Sequence, residues 1–238
     1  MKIFLDTADI DEIRKANETG MIEGITTNPT LIKKSGRDPI EVIKEIAEMS
    51  NQFESVSAEV VADTAEEMID QAKAFEGIWN VTIKVPCTVE GLKACTALAA
   101  TGKKVNVTLI FSAAQAILAR RAGAAYVSPF VGRMNDNSVS GVALVQTIAS
   151  LYNQHFSTTQ VLAASVRDVH QVGRCFDAGA NICTIPPKVF WGMYKHVLTD
   201  QGLDLFQKDW ESVQGRCCLL YTSPSPRDAT LSRMPSSA

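Results

Sequence analysis

In Val81-Thr82-Ile83-Lys84-Val85-Pro86 the side chains alternate, with Val81, Ile83 and Val85 on one face and Thr82 and Lys84 on the other. On an edge strand the second face looks into water, and Lys84 is an ordinary surface charge. A closed barrel has no edge, so the second face looks into the lumen and Lys84 ends inside it. The neighbouring segments decide between the two. Short β-branched runs at 2–6, 22–27, 55–60, 81–85, 104–110, 124–128, 160–165 and 181–185 alternate with stretches of helical apolar spacing, such as Ile40, Ile43 and Ile46, or Met68, Ile69 and Ala72. Regular strand–helix alternation implies a parallel sheet with right-handed crossovers. Eight such units in about 215 residues fit the α/β class as a single-domain (β/α)8 TIM barrel better than a doubly wound sheet. Neither G-x-G-x-x-G after the first strand nor G-x-x-x-x-G-K-[ST] occurs, which removes the nucleotide-binding fingerprints.

Composition agrees with a packed globular domain. The chain has 238 residues, 46% hydrophobic and 21% charged, enough apolar material for a sizeable core. With 23 Lys and Arg against 26 Asp and Glu the net charge is −3, which leaves no basic excess for a nucleic-acid backbone. Only a three-residue apolar run, Ile3-Phe4-Leu5, precedes Asp6, too short for a signal-peptide core, and no run reaches the ~18 apolar residues of a membrane helix. A cytoplasmic location with no membrane partner is expected. The six cysteines, at 87, 95, 175, 183, 217 and 218, form no C-x-x-C pair and are read as reduced, scattered thiols without structural zinc.

What interrupts the apolar strands is informative. Near the C-terminal end of one run after another stands a polar residue: Asp6, Asn28, Glu59, Lys84, Asn106 with Thr108, Ser128 and Ser165. A parallel barrel covers both faces of its strands, so a charge there costs several kcal/mol unless it is paired, on the order of the penalty for any buried unpaired ion. The C-terminal rim is also where barrel enzymes place their chemistry. An ordinary lysine with pKa ~10.4 leaves about one amine in 2500 neutral at pH 7, so a lysine nucleophile needs desolvation or a neighbouring cation. The lumen supplies the desolvation, and the natural use of such an amine is a Schiff base with a ketone. Asp6 and Glu59 are the acids on the same rim. Asp6 has a second reading as the cap of the following helix, whereas Glu59 is followed by the better capping pair Asp63-Thr64. Arg133 and Arg167 follow neighbouring runs and suit an anion such as phosphate, with surface loop arginines as the alternative.

These motifs resemble those of the small class I transaldolases and the closely related fructose 6-phosphate aldolases, over about residues 1–215. Leu5-Asp6-Thr7-Ala8 resembles the family's first strand and Gly24-Ile25-Thr26-Thr27-Asn28-Pro29-Thr30 its second. Ile83-Lys84-Val85-Pro86 looks like the Schiff-base strand, and Asn106-Val107-Thr108-Leu109-Ile110-Phe111-Ser112 like the fifth. Ser128-Pro129-Phe130-Val131-Gly132-Arg133 and Ala163-Ala164-Ser165-Val166-Arg167 complete the set. The resemblance implies that Lys84 forms the imine, that Asp6 assists proton transfer, and that Glu59 acts through a water held with Thr108. It implies further that Asn28, Asn106 and Ser128 bind dihydroxyacetone hydroxyls and that Arg133, Ser165 and Arg167 hold a sugar phosphate. No metal or organic cofactor is implied, since the protonated imine stabilises the carbanion.

Two positions separate the activities within the family. The aldolases typically carry Gln at Glu59 and Tyr at Phe130, so both residues here resemble transaldolases, which transfer a dihydroxyacetone unit between sugar phosphates in the pentose phosphate pathway. The alternatives are an aldolase that releases free dihydroxyacetone and a non-catalytic sugar-phosphate-binding barrel. Toward the C-terminus, Leu203, Phe206 and Trp210 form an apolar stripe on a helix. The stripe either covers its own barrel or, as the resemblance implies, reaches a neighbour in a homo-oligomer, a pentamer or a decamer. From Arg216 the composition turns rich in Ser and Pro. Residues 216–238 are therefore expected to be a disordered, non-native tail resembling translated vector sequence, with a native regulatory tail as the alternative.

Overall fold

The computed structural model of the chain describes residues 1–214, so the expectations for 216–238, Cys217 and Cys218 included, lie outside the described residues. Eight strands are present: Lys2–Asp6 (β1), Gly24–Thr26 (β2), Ser55–Glu59 (β3), Val81–Pro86 (β4), Val105–Ile110 (β5), Tyr126–Pro129 (β6), Gln160–Ala163 (β7) and Ile182–Ile185 (β8). All pair in parallel and in sequence order, and β8 returns to β1 through Lys2↔Ile182 to Leu5↔Ile185, closing the barrel. The barrel unit runs from Met1 to Met193.

Between the strands lie helices Ile10–Glu18 (α1), Pro29–Ser35 (α2), Pro39–Met49 (α3), Ala65–Ala72 (α4), Val89–Ala100 (α5), Ala113–Arg121 (α6), Val131–Asp136 (α7), Gly141–Gln154 (α8), Val169–Asp177 (α9) and Pro187–Gly192 (α10). Most start where a short polar side chain accepts a backbone N–H of the first turn: Asp9, Asn28, Asp38, Thr64, Thr88, Ser112, Ser140 and Asp168 all do so. Asp9 caps α1, so the capping role weighed for Asp6 belongs to its neighbour three residues on. On α3 the buried stripe is Val42, Ile43, Ile46 and Ala47, while Ile40, in the first turn, is exposed. A separate unit begins at Tyr194 and contains the helix Val197–Gln214 (α11), longer than the apolar stripe alone indicated.

The pleat sorts side chains into two cores. The outward faces of the strands and the inward faces of the helices form one large cluster, including Leu5, Ile25, Val56, Ile83, Val107 and Cys183. Inside the barrel, Phe4, Tyr126, Leu162, Ala164 and Ile182 pack as a second cluster, in which Phe4 meets Tyr126 edge-on at 6.3 Å between ring centroids. Phe4, Tyr126 and Ile182 fill the lower lumen, Leu162 and Ala164 reach up to the rim cavity, and polar rim residues such as Asp6 and Ser128 stand one pleat above Phe4 and Tyr126 on the same face. Thr82 and Lys84 share that inward face within a closed ladder, and Lys84 is 8% exposed, so the edge-strand reading is replaced by the lumenal one.

Gly24 makes room for the floor. A Cβ on it would lie 2.7 Å from the Phe4 ring and 2.6 Å from the Ser55 carbonyl oxygen. Gly24→Ala is expected to destabilise the barrel by about 1–3 kcal/mol, as overpacking of a filled interior does. Urea unfolding checks this, and an unchanged midpoint would show that the Phe4 ring yields freely.

Candidate active site

At the C-terminal ends of the strands lies a cavity of about 170 Å³ lined by Asp6, Asn28, Lys84, Asn106, Thr108, Ser128, Phe130, Arg133 and Ser165, together with Thr26 and Thr184. Nine of the eleven residues singled out from sequence are therefore on one wall or another of a single space. Glu59 and Arg167 are not part of that lining; Glu59 touches it through Lys84, and Arg167 follows Ser165 by two residues on the same loop.

Glu59 and Lys84 are register partners on β3 and β4, which places both side chains on the lumenal face side by side. Their ion pair measures 2.9 Å from Lys84 Nζ to Glu59 Oε2, and Lys84 also donates to the Thr27 carbonyl oxygen at 3.4 Å. The contact is direct. On the other side of the barrel axis Asp6 accepts from the Thr26 hydroxyl at 2.7 Å, and Thr26 in turn lies 2.5 Å from the Thr184 hydroxyl. Burial pushes the Asp6 carboxyl above its ordinary value, the Thr26 hydroxyl and the Lys84 charge pull it partway back, and the Glu59 charge adds to the rise. Thr26 and Thr184 were not picked out from sequence, although each sits at an inward pleat position that alternation marks once the neighbouring strand is placed.

Three further features shape the walls. Ser128 donates to Asn106 Oδ1 at 2.8 Å, both fully enclosed, so the Asn106 amide is held in one orientation. Asn28 caps α2 by accepting from the Leu31 amide at 3.0 Å through Oδ1, and it lines the cavity as well. Beside Thr108, whose buried hydroxyl has no hydrogen-bond partner among the described residues, β5 shifts register between Val107 and Ile110, with Leu109 at φ 59°. A left-handed leucine costs about 1–2 kcal/mol, and such strain often marks a functional wall.

The seventh unit departs from the simple strand reading over 160–165. β7 stops at Ala163, and Ser165 takes φ 57°, so Ala164 and Ser165 both turn into the cavity where alternation would send them to opposite faces. Phe130 joins by a single bridge to Ala164, packs against Phe111 at 5.7 Å, and carries the Arg133 guanidinium over its ring at 5.1 Å. Arg167 lies further out. It is half-exposed and paired with Asp136, a residue the sequence alone did not single out.

The sequence pattern of the family described as Transaldolase/Fructose-6-phosphate aldolase matches residues 3–217. The chain belongs to this family. A protein named "Probable transaldolase" from Symbiobacterium thermophilum is 48% identical over 217 residues, covering 91% of this chain and 100% of its own length. Another of the same name from Thermoanaerobacter sp. (strain X514) is 50% identical over 214 residues, covering 90% and 98%. Among solved structures, thiamine phosphate pyrophosphorylase from Pyrococcus furiosus superposes with a TM-score of 0.56 at 15% identity, over 78% of this chain and 85% of that one, which is a likeness of fold alone. For a transaldolase/fructose-6-phosphate aldolase family member, Cys87, Cys95, Cys175 and Cys183 are free thiols away from the site, and no described helix is long and apolar enough to cross a membrane.

The raised Asp6 carboxyl has a measurable consequence. The folded chain holds this proton to higher pH than the unfolded chain, whose carboxyl titrates near ~3.9, so the native state binds more protons between the two values. Stability from this residue therefore falls as pH rises through that window and stays constant above it. Asp6→Asn, which cannot ionise, is expected to overtake the wild type in urea midpoint as pH rises and to keep the gain at neutral pH. A midpoint difference that is flat with pH would contradict the shift.

Proposed function

We propose that this chain is a transaldolase that moves a dihydroxyacetone unit from a ketose phosphate, such as sedoheptulose 7-phosphate or fructose 6-phosphate, to an aldose phosphate. The observation that carries the reading is Lys84, an amine enclosed in a barrel lumen with Glu59 at 2.9 Å and Asp6 on the same cavity. Simple binding of a sugar has no use for a desolvated amine between two carboxylates.

The chemistry follows from those positions. Lys84 passes a proton to Glu59 directly, and its free amine attacks the ketone carbon C2. Glu59 returns that proton, through a water held with Thr108, to the carbinolamine hydroxyl, and loss of water gives a protonated imine. Asp6 takes the proton of the C4 hydroxyl as the C3–C4 bond breaks, the bond's electron pair enters the enamine, and an aldose phosphate leaves. The same steps in reverse join C3 to the acceptor aldehyde, Asp6 returns its proton to the new hydroxyl, and water releases the product. Asn28, Asn106 and Ser128 hold the hydroxyls of the bound three-carbon unit, and Thr108 offers its hydroxyl beside Lys84. Arg133, Ser165 and Arg167 take the phosphate as charge-assisted donors.

Phe130 supports transfer over release. Packed against Phe111 with the Arg133 guanidinium over its ring, Phe130 itself offers no hydroxyl to deliver a proton to the enamine carbon. The reading places the enzyme in the cytoplasm and in pentose phosphate metabolism. It also takes the chain as a homo-oligomer, a pentamer or decamer joined through α11, whose Leu203, Phe206 and Trp210 are 61%, 69% and 51% exposed.

Borohydride treatment with fructose 6-phosphate is expected to trap a covalent adduct at Lys84, located by mass spectrometry. Fructose 6-phosphate alone is expected to yield little free dihydroxyacetone, and added erythrose 4-phosphate to permit rapid turnover. An adduct at another lysine overturns the imine assignment, and equal rates with and without acceptor make the enzyme an aldolase. Glu59→Gln is expected to lower turnover by about 10²–10⁴-fold, the range for a lost general acid or base. Unchanged turnover would make Glu59 a structural partner of Lys84.

A further inference from the structure

Arg167 sits on the loop between β7 and α9, half-exposed, with a long side chain that gives up its rotamer freedom when held in one place. A residue that is to meet a phosphate in one orientation needs something to hold it. Asp136, the last residue of α7, does so with both carboxylate oxygens: Nη1 donates to Oδ1 at 2.5 Å and Nη2 to Oδ2 at 2.6 Å. The fork is end-on, taking the two terminal nitrogens. Both partners are about half-exposed, and such surface pairs add little to stability, so the fold itself gains little from this geometry.

What the end-on pair leaves over is the Nε edge of the guanidinium. Nε lies 2.7 Å, and Ser165 Oγ 2.9 Å, from the point that a Cβ on Gly132 would occupy. The two groups thus converge over a glycine whose missing side chain is what admits them, next to Arg133 on the cavity wall. Asp136 stays an anion there, since the Arg167 and Arg133 charges hold its carboxyl below the usual range. A competing anion would cover the edge that a phosphate needs. Asp136 instead covers the tip and leaves the Nε edge beside Ser165.

We propose that Asp136 is a positioning residue for the substrate's phosphate: by clamping the tip of Arg167 it fixes the Nε edge beside Ser165 over Gly132. This rests on the preceding reading of Arg167 as a phosphate ligand, and the test separates the two. The full chain is assayed as wild type, Asp136→Asn, Asp136→Glu and Arg167→Ala. Each receives fructose 6-phosphate and unphosphorylated fructose as donors, and calorimetry measures binding of inorganic phosphate independently of turnover. Asp136→Asn is expected to raise KM for fructose 6-phosphate about tenfold, the scale of one charge-assisted hydrogen bond, with a much smaller change in kcat. Affinity for inorganic phosphate is expected to weaken in step, the fructose reaction to change far less, and Asp136→Glu to recover part of the loss. If Arg167→Ala shows the phosphate-selective loss and Asp136→Asn shows none, tighter binding, or an equal loss with both donors, the positioning role is overturned while the phosphate site stands. If Arg167→Ala itself shows no phosphate-selective loss, the underlying reading falls first.

Discussion

An ammonium and a carboxylate side by side in a barrel lumen are the constraint around which the rest is arranged. Lys84 and Glu59 are 10% and 19% exposed at their side chains, and removing one partner of such a pair costs about 3–5 kcal/mol because the other charge is stranded. Their meeting depends on the β3–β4 register, since a slip of one residue would turn either side chain to the helix layer. Register in turn depends on closure. β8 bonding to β1 removes the edges that would let strands slide, and the apolar outward faces of Val81, Ile83 and Val85 lock β4 against the helices.

The polar upper lumen and the apolar lower lumen use the same pleat. Phe4 and Asp6 are two residues apart on one strand face, as are Tyr126 and Ser128, and Leu162 and Ala164. A side chain's height along the barrel therefore decides whether it is filler or chemistry, which is why the reacting groups come from many strands. Burial raises the Asp6 carboxyl above its ordinary value, while Glu59 is held against the Lys84 ammonium, so the two carboxylates of one site sit in different surroundings.

Much of this was legible in the chain because strand alternation and rim position are written locally. Lys84 flanked by Ile83 and Val85 is readable as lumenal once eight units are counted, and Asp6, Asn106 and Ser128 follow by the same rule. The features that were not legible depend on backbone turns and long-range neighbours. Ser165 enters the cavity through a left-handed residue that no alternation anticipates, and β2 has only three ladder residues where six were expected, its start marked by the Glu23 carboxylate, which takes the Ile3 amide. Asp136 and Arg167 are 31 residues apart and meet only after two βα units have folded.

The aromatic floor has a kinetic consequence. Phe4, Tyr126, Leu162 and Ile182 plug the lumen below the cavity, so everything that enters or leaves uses the upper mouth. On the transaldolase reading proposed above, the first aldose phosphate leaves and the acceptor enters by that same mouth while the three-carbon unit stays on Lys84, so double-reciprocal plots at several acceptor concentrations take the parallel lines of a ping-pong sequence. A ring packed over Gly24 at the far end leaves one route for donor, product and acceptor alike.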